Sequence, residues 1–109
     1  RIAAMAGDTA TAEKWFAQAI ELAPKLPQVY IDRGQARLDR GDLAGALASA
    51  SQAATLSPHD GDAWTLWGDV LAKQEHAKEA LAKYDEALKF APKWKHLQEA
   101  RAALVPHAT

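Results

Sequence analysis

Small and apolar residues recur along the chain at helical intervals, and the breaks between them fall at regular places. Leu43, Ala46, Leu47, Ala50, Ala53 and Ala54 follow one another every few residues, the spacing that gathers side chains on one face of an α-helix. The spacing predicts a helix over 42–56. Gly41-Asp42 stands before it: glycine tolerates the left-handed conformation that ends one helix, and aspartate accepts the free amide hydrogens that begin the next. Pro58 follows, where it no longer interrupts anything. Upstream, residues 28–38 predict a helix free of proline that holds a single glycine, Gly34. Downstream, residues 62–73 and 76–90 predict the same two-helix arrangement again. No segment sustains the alternation of a half-buried strand, so the expected class is all-α.

The breaks are periodic. Pro24, Pro58 and Pro92 recur every 34 residues, each after an apolar and a small residue. Gly34 and Gly68 keep the same step, as do Gly7-Asp8 and Gly41-Asp42, and the series Ala12, Ala46, Ala80 and Ala19, Ala53, Ala87. Self-similarity at a fixed period is the signature of a repeat architecture, in which each unit buries its apolar stripe only by stacking on a neighbour.

The period and its residues resemble the tetratricopeptide repeat family. In the third unit Trp64, Trp67, Gly68, Leu71, Ala80, Tyr84, Ala87 and Pro92 fall where that family carries its aromatic, apolar, small and proline positions. The second unit offers Tyr30, Arg33, Gly34, Arg37, Ala46, Ala50, Ala53 and Pro58. The first offers Ala12, Phe16, Ala19 and Pro24 in its second helix. The resemblance implies a right-handed superhelical stack of antiparallel helix pairs with a C-terminal capping helix. The expected units are an incomplete first repeat over 1–26, a second over 27–60, a third over 61–94, a cap over 95–106 and a loose tail at 107–109. Gly34, Gly68 and the alanines let paired helices approach; the aromatics fill the space between pairs.

Three departures stand out. Arg33 and Arg37 replace apolar residues in the second unit, Ala50 replaces an aromatic and leaves that unit thinly packed, and Gln74-Glu75-His76 lacks the glycine of the other turns. At one end, the register places Arg1 well inside a first helix, so the module is expected to continue upstream in a longer protein or to be covered there by another surface. At the other, Trp94, Leu97, Ala100 and Leu104 share one helical face, as a capping helix requires, and Pro106 ends it.

Composition narrows the function. The 109 residues are 49% hydrophobic and 25% charged with a net charge of -1, so no global field draws nucleic acid or an anionic membrane. No apolar run approaches the roughly 20 residues that span a bilayer. The absence of cysteine removes thiolate chemistry and Cys-based metal sites and leaves the compartment open between cytoplasm and periplasm. No zinc-protease motif, phosphate loop or nucleophile elbow occurs. His59-Asp60-Gly61-Asp62 gathers too few convergent ligands for a metal and reads as an inter-repeat loop with an aspartate at a helix start. Trp64, Trp67 and Trp94 read as core, and Trp15 as packing against an upstream neighbour. Arg33 and Arg37, one helical turn apart, suit either an anion clamp or stems laid along the core edge with heads reaching carboxylates such as Asp32 or Asp69. No catalytic constellation and no cofactor site is expected.

In such arrays the first helix of each pair lines a concave face. The resemblance therefore implies a partner-binding groove of Gln28, Ile31, Gln35, Leu38 and Asp39, then Asp62, Thr65, Asp69, Ala72 and Lys73, with His96 and Glu99 added by the cap. Some family members hold a carboxylate-ended tail with lysine and asparagine. The matching places here are Ile31, Gln35, Thr65 and Asp69, so an acidic tail is not the expected partner. The expected function is a non-catalytic scaffold for a peptide or helical segment of another protein. The rivals are a homo-oligomer formed through the incomplete first repeat and an accessory domain of a larger enzyme.

Overall fold

Proline in the first turn of one helix and aspartate ahead of two others set where the chain begins to coil. The computed structural model describes residues 9–90 and 95–107, excepting the side chain of His96. The expectations placed on Arg1, Gly7-Asp8, Pro92, Trp94, the His96 side chain and residues 108–109 lie outside the described residues. The described helices are α1 (Thr9–Leu22), α2 (Pro27–Asp39), α3 (Leu43–Leu56), α4 (Gly61–Lys73), α5 (Ala77–Phe90) and α6 (Lys95–Leu104), closed by a 3-10 turn at Val105–His107. The described residues contain no strand.

The starts follow ordinary capping chemistry. Asp42 accepts the Gly45 amide at 3.1 Å and Asp60 accepts the Asp62 amide at 2.9 Å. Pro27 needs no amide partner in the first turn of α2. The two hairpin turns close alike. The Asp42 amide donates to Arg37 O (2.8 Å) and, one period on, the His76 amide donates to Leu71 O (2.9 Å). This closure needs a left-handed residue, supplied by Gly41 at φ 85° and by Glu75 at φ 64°. The turn that lacks glycine thus keeps its shape by holding a glutamate where a side chain costs about 1 kcal/mol.

With connections this short, successive helices run antiparallel. α2 pairs with α3 and α4 with α5, while contacts of α4 with both α2 and α3 stack the second pair on the first. α1 packs on α2, and α6 closes over α5. The pairs meet where side chains are missing: a Cβ on Gly34 would lie 2.6 Å from Leu66 Cδ2 and 3.2 Å from Ser49 Cβ, and one on Gly68 2.6 Å from Tyr84 Cε1. Ala46, Ala50, Ala53, Ala80 and Ala87 are fully buried along the same seams. Where Ala50 stands in place of an aromatic, Leu66 of α4 fills the space beside Gly34. Leu97 is fully buried against α5, with Ala100 and Leu104 packed on the same cluster.

A second device recurs with the period. The Tyr30 hydroxyl donates to Pro24 O at 3.1 Å, and Trp64 Nε1 donates to Pro58 O at 2.8 Å. Each aromatic therefore pins the turn that precedes its own helix. The Trp64 and Trp67 indoles stack 5.4 Å apart, with Lys83 Nζ 3.8 Å from the Trp67 ring centre, so lysine rather than a ligand covers that face.

α1 is held by different means. Phe16 and Ala12 bury against Val29 of α2, and Glu13 gathers three arginines. Its carboxylate accepts from Arg33 Nε (2.9 Å), Arg37 Nε (2.9 Å) and Arg40 Nη2 (3.0 Å), while Arg37 Nη1 also reaches Gly45 O and Ser49 Oγ at 3.1 Å. Arg37, then Arg40 and Arg33, pull the Glu13 carboxyl down from 4.5 to about 2 against the opposing effect of its partial burial.

These contacts make measurable differences. Glu75→Gly should raise stability by about 0.5–1 kcal/mol in urea unfolding, because the left-handed strain goes while Gly41→Ala at the matching turn destabilises; a destabilised Glu75→Gly would contradict the shared turn geometry. Tyr30→Phe should lose about 1 kcal/mol, the worth of one partly buried hydrogen bond, and an unchanged midpoint would show the pin to be inert. Glu13 titrates lower in the folded chain than in the unfolded one, so its contribution is whole above pH 4.5 and drains as the pH falls towards 2. Glu13→Gln should therefore cost about 2 kcal/mol near neutrality, with the gap to the parent protein narrowing across that acid window. A gap constant with pH would contradict the cluster.

Candidate partner-binding groove

Stacking one pair on the next sets α2 and α4 side by side, because both are the first helix of a pair. Residues one period apart on these helices then meet across a shared cavity of about 640 Å³. It is lined by Gln35, Leu38 and Asp39 of α2, by Asp69, Ala72 and Lys73 of α4, and by Tyr84 of α5. The volume lies in the usual range for ligand pockets. Gln35 corresponds to Asp69, Leu38 to Ala72 and Asp39 to Lys73 in the register of the repeat, so the cavity is built from the same three places of two successive units, with Tyr84 added.

The polar groups are positioned rather than loose. Gln35 Nε2 donates to Asp39 Oδ1 at 3.0 Å, one turn along α2. The Tyr84 hydroxyl donates to Asp69 Oδ1 at 2.5 Å. Tyr84 is only 2% exposed, and burial first, then its bond to Asp69, pushes the phenol well above its usual range. It therefore stays a donor at any ordinary pH and fixes the direction of the Asp69 carboxylate. Leu38 and Ala72 supply apolar wall between these groups.

The remaining groove candidates are not among the residues that line this cavity. Ile31 and Thr65 are buried at 9% and 6% exposure; Ile31 joins the core of α2, α3 and α4, and the Thr65 hydroxyl donates to Gly61 O at 2.8 Å. Gln28 is exposed and donates to Asp32 at 2.9 Å. Asp62 is exposed at the start of α4, where desolvation and then the Asp60 charge push its carboxyl upward. Glu99 is exposed on α6, 3.9 Å from Lys95 Nζ. The sequence reading missed Tyr84 as a lining residue, having assigned it to the core. The available signal was its hydroxyl, which a buried tyrosine must satisfy, at a place occupied by Phe16 and Ala50 in the other units.

The other candidate chemistry is absorbed by structure. Among the described residues no three His, Asp or Glu side chains converge as a metal site. Asp60 caps α4, and the His59 ring rests edge-on to Phe90 at 5.1 Å. No helix among the described residues is long and apolar enough to cross a membrane. What the cavity offers is a set of hydrogen-bonded and charged groups beside apolar wall.

Comparison with known proteins agrees with this architecture. The family model described as "Tetratricopeptide repeat" matches residues 31–93. The Bos taurus protein "Tetratricopeptide repeat protein 36" is 50% identical over 56 residues, which are 51% of this chain and 30% of that protein; the matched stretch thus spans under a third of that relative. Among solved structures, the "Arabidopsis OM64 TPR domain" superposes with a TM-score of 0.82 at 23% identity, over 86% of this chain and 78% of that one. The "First TPR of Spaghetti (RPAP3) bound to HSP90 peptide SRMEEVD" superposes with a TM-score of 0.86 at 17% identity, over 92% of this chain and 81% of that one. At these identities the two structures speak for the fold. With its 34-residue period, its paired helices crossing at Gly34 and Gly68, and a matching model over most of its length, the chain belongs to the tetratricopeptide repeat family.

Proposed function

We propose that the chain is a non-catalytic scaffold that binds a peptide or helical segment of another protein in the groove between α2 and α4. The observation that carries this reading is the cavity itself, lined by equivalent residues of two successive first helices and by Tyr84, and left open where α2 and α4 stack. Gln28, Asp62 and Glu99 add exposed contacts on α2, α4 and α6. Ile31 and Thr65, one turn before Gln35 and Asp69, support the wall from within. His96 completes the proposed set on α6. In this reading the repeat units follow the 34-residue register, 27–60 and 61–94, preceded by 1–26 and followed by the cap. The RPAP3 domain with the same fold is bound to a peptide, which supports peptide binding by this fold.

A second reading, self-assembly, has one observation in its favour. Trp15, Leu22 and Leu26 are 57%, 88% and 49% exposed around the end of the array that α1 forms. Sedimentation distinguishes the two: a monomer at every micromolar concentration removes self-assembly, and a dimer abolished by Trp15→Glu supports it.

The scaffold reading is tested by filling the cavity. Ala72→Arg places a long cation among the lining residues from a position that is only partly buried against the α4–α5 core. Segments selected for binding from a random-peptide phage library should bind this variant at least about tenfold more weakly, at an unchanged unfolding midpoint. Binding unaffected by Ala72→Arg would overturn the groove reading.

A further inference from the structure

We propose that copies of this chain associate head to tail, the outer face of α6 in one copy pairing with the exposed face of α1 in the next, as α2 pairs with α3 and α4 with α5 within the chain. This rests on the self-assembly reading and names both halves of the contact, with the groove between α2 and α4 left free.

Two exposed faces match. The first is on α1, which holds the place of α3 and α5 in the 34-residue register. Those two helices are covered by the first helix of their own pair, and the same positions on α1 are less covered. Trp15 is 57% exposed where Ser49 is fully buried, and Leu22 is 88% exposed where Leu56 and Phe90 are 37% and 38%. Ala19 is half-buried where Ala53 and Ala87 are fully buried. The second face is on α6, which holds the place of α2 and α4. Its inner side is used as that of α4 is: Leu97 is fully buried against α5, as Ala63 is one period earlier. Its other side, which in α2 and α4 packs on the second helix of the pair, is bare. Ala102 stands in the register of Gly34 and Gly68 and is exposed where both glycines are buried. Val105 is 44% exposed where Leu71 is buried.

Among the described helices, then, α6 is a first helix with no second and α1 a second helix with no first, and together they complete one unit. The occupant of each face is therefore a second copy. The contact continues an interface that the chain already builds twice. At the α2–α3 crossing a Cβ on Gly34 would lie 3.2 Å from Ser49 Cβ. The same register brings Ala102 of one copy to Trp15 of the next, a small residue beneath a large ring, as Gly68 lies beneath Tyr84. Trp15, Leu22, Ala102 and Val105 carry no charge, and Arg101 is held by Asp85 of α5 at 2.5 Å, so apolar burial drives the contact. Two α1 faces set together would instead oppose one large ring to another, with no small residue at the crossing. Because the two faces differ, each added copy leaves one of each free, and the assembly is an open series rather than a closed pair.

The experiment is sedimentation velocity on the parent chain, on Trp15→Glu, on Ala102→Glu and on an equimolar mixture of the two variants. Each is run from about 1 to 500 μM, since one helix-pair contact falls among small, transient interfaces. Circular dichroism confirms the fold of both variants, whose substitutions sit at exposed positions. The parent should grow past the dimer as concentration rises. Each variant alone should stay monomeric, because the contact would bury an unpaired carboxylate. The mixture should return a dimer and nothing larger, because the intact α6 of the Trp15→Glu chain meets the intact α1 of the Ala102→Glu chain. A parent that stays monomeric throughout would overturn both this inference and the self-assembly reading, as would assembly that survives Trp15→Glu. Assembly blocked by Trp15→Glu but not by Ala102→Glu would overturn the head-to-tail contact and leave self-assembly through α1 standing. A mixture that stays monomeric beside an assembling parent would do the same.

Discussion

Everything in this molecule depends on how closely paired helices approach at Gly34 and Gly68. At each position a single added methyl would stand within 2.6 Å of a neighbouring side chain. The alanines along α3 and α5 extend the same economy, so backbones rather than long side chains set the distance between helices. That spacing brings α2 and α4 into contact, and the contact lets equivalent residues of two units share one cavity. The two crossings are not equally yielding. Beside Gly34 the nearest atom is the end of a flexible leucine, whereas beside Gly68 it is a buried tyrosine ring anchored through its hydroxyl to Asp69.

The two junctions between successive units solve the same packing problem with opposite chemistry. Where the third unit meets the second, Leu47 packs with Trp67 and the cluster around Leu71. One period earlier the three equivalent places hold Glu13, Arg33 and Arg37, which form a hydrogen-bonded ion cluster instead. A carboxylate among arginines satisfies a partly buried junction only if both sides keep their charge, and neither set can pair with its apolar counterpart without leaving ions unmatched. The exchange therefore makes the first junction specific to its own partner, and ties α1 to the array by an ion cluster beside the apolar contacts of Ala12 and Phe16.

Much of this was legible along the chain. The period, the helix pairs, the glycine crossings and the Asp42 cap follow from local rules of spacing and turn chemistry, which need no knowledge of what lies across the fold. The partner of the arginines was not legible in the same way. Asp32 stands next to Arg33 in the sequence but is engaged by Gln28, Asp69 is engaged by Tyr84, and the acid that meets Arg33 and Arg37 stands on α1. Aligning Glu13 with Leu47 would have flagged it, since an acid at an apolar place demands a cation opposite. The left-handed Glu75 was hidden for a different reason: the glycine that marks such a turn is absent, and only the backbone reveals that the turn persists. The proposed groove was visible as a face, yet the burial of Ile31 and Thr65 and the entry of Tyr84 from a second helix depend on packing that a single-helix projection does not contain.

The most direct test of the close-crossing account is the stability of Gly68→Ala, measured by urea unfolding beside Gly34→Ala. Alanine gains about 1 kcal/mol over glycine in a free helix, so a roomy crossing would let both variants be stabilised. The account predicts that Gly68→Ala loses about 1–2 kcal/mol net, through overpacking against the Tyr84 ring, and more than Gly34→Ala, where Leu66 can turn aside. Stabilisation of Gly68→Ala would contradict it.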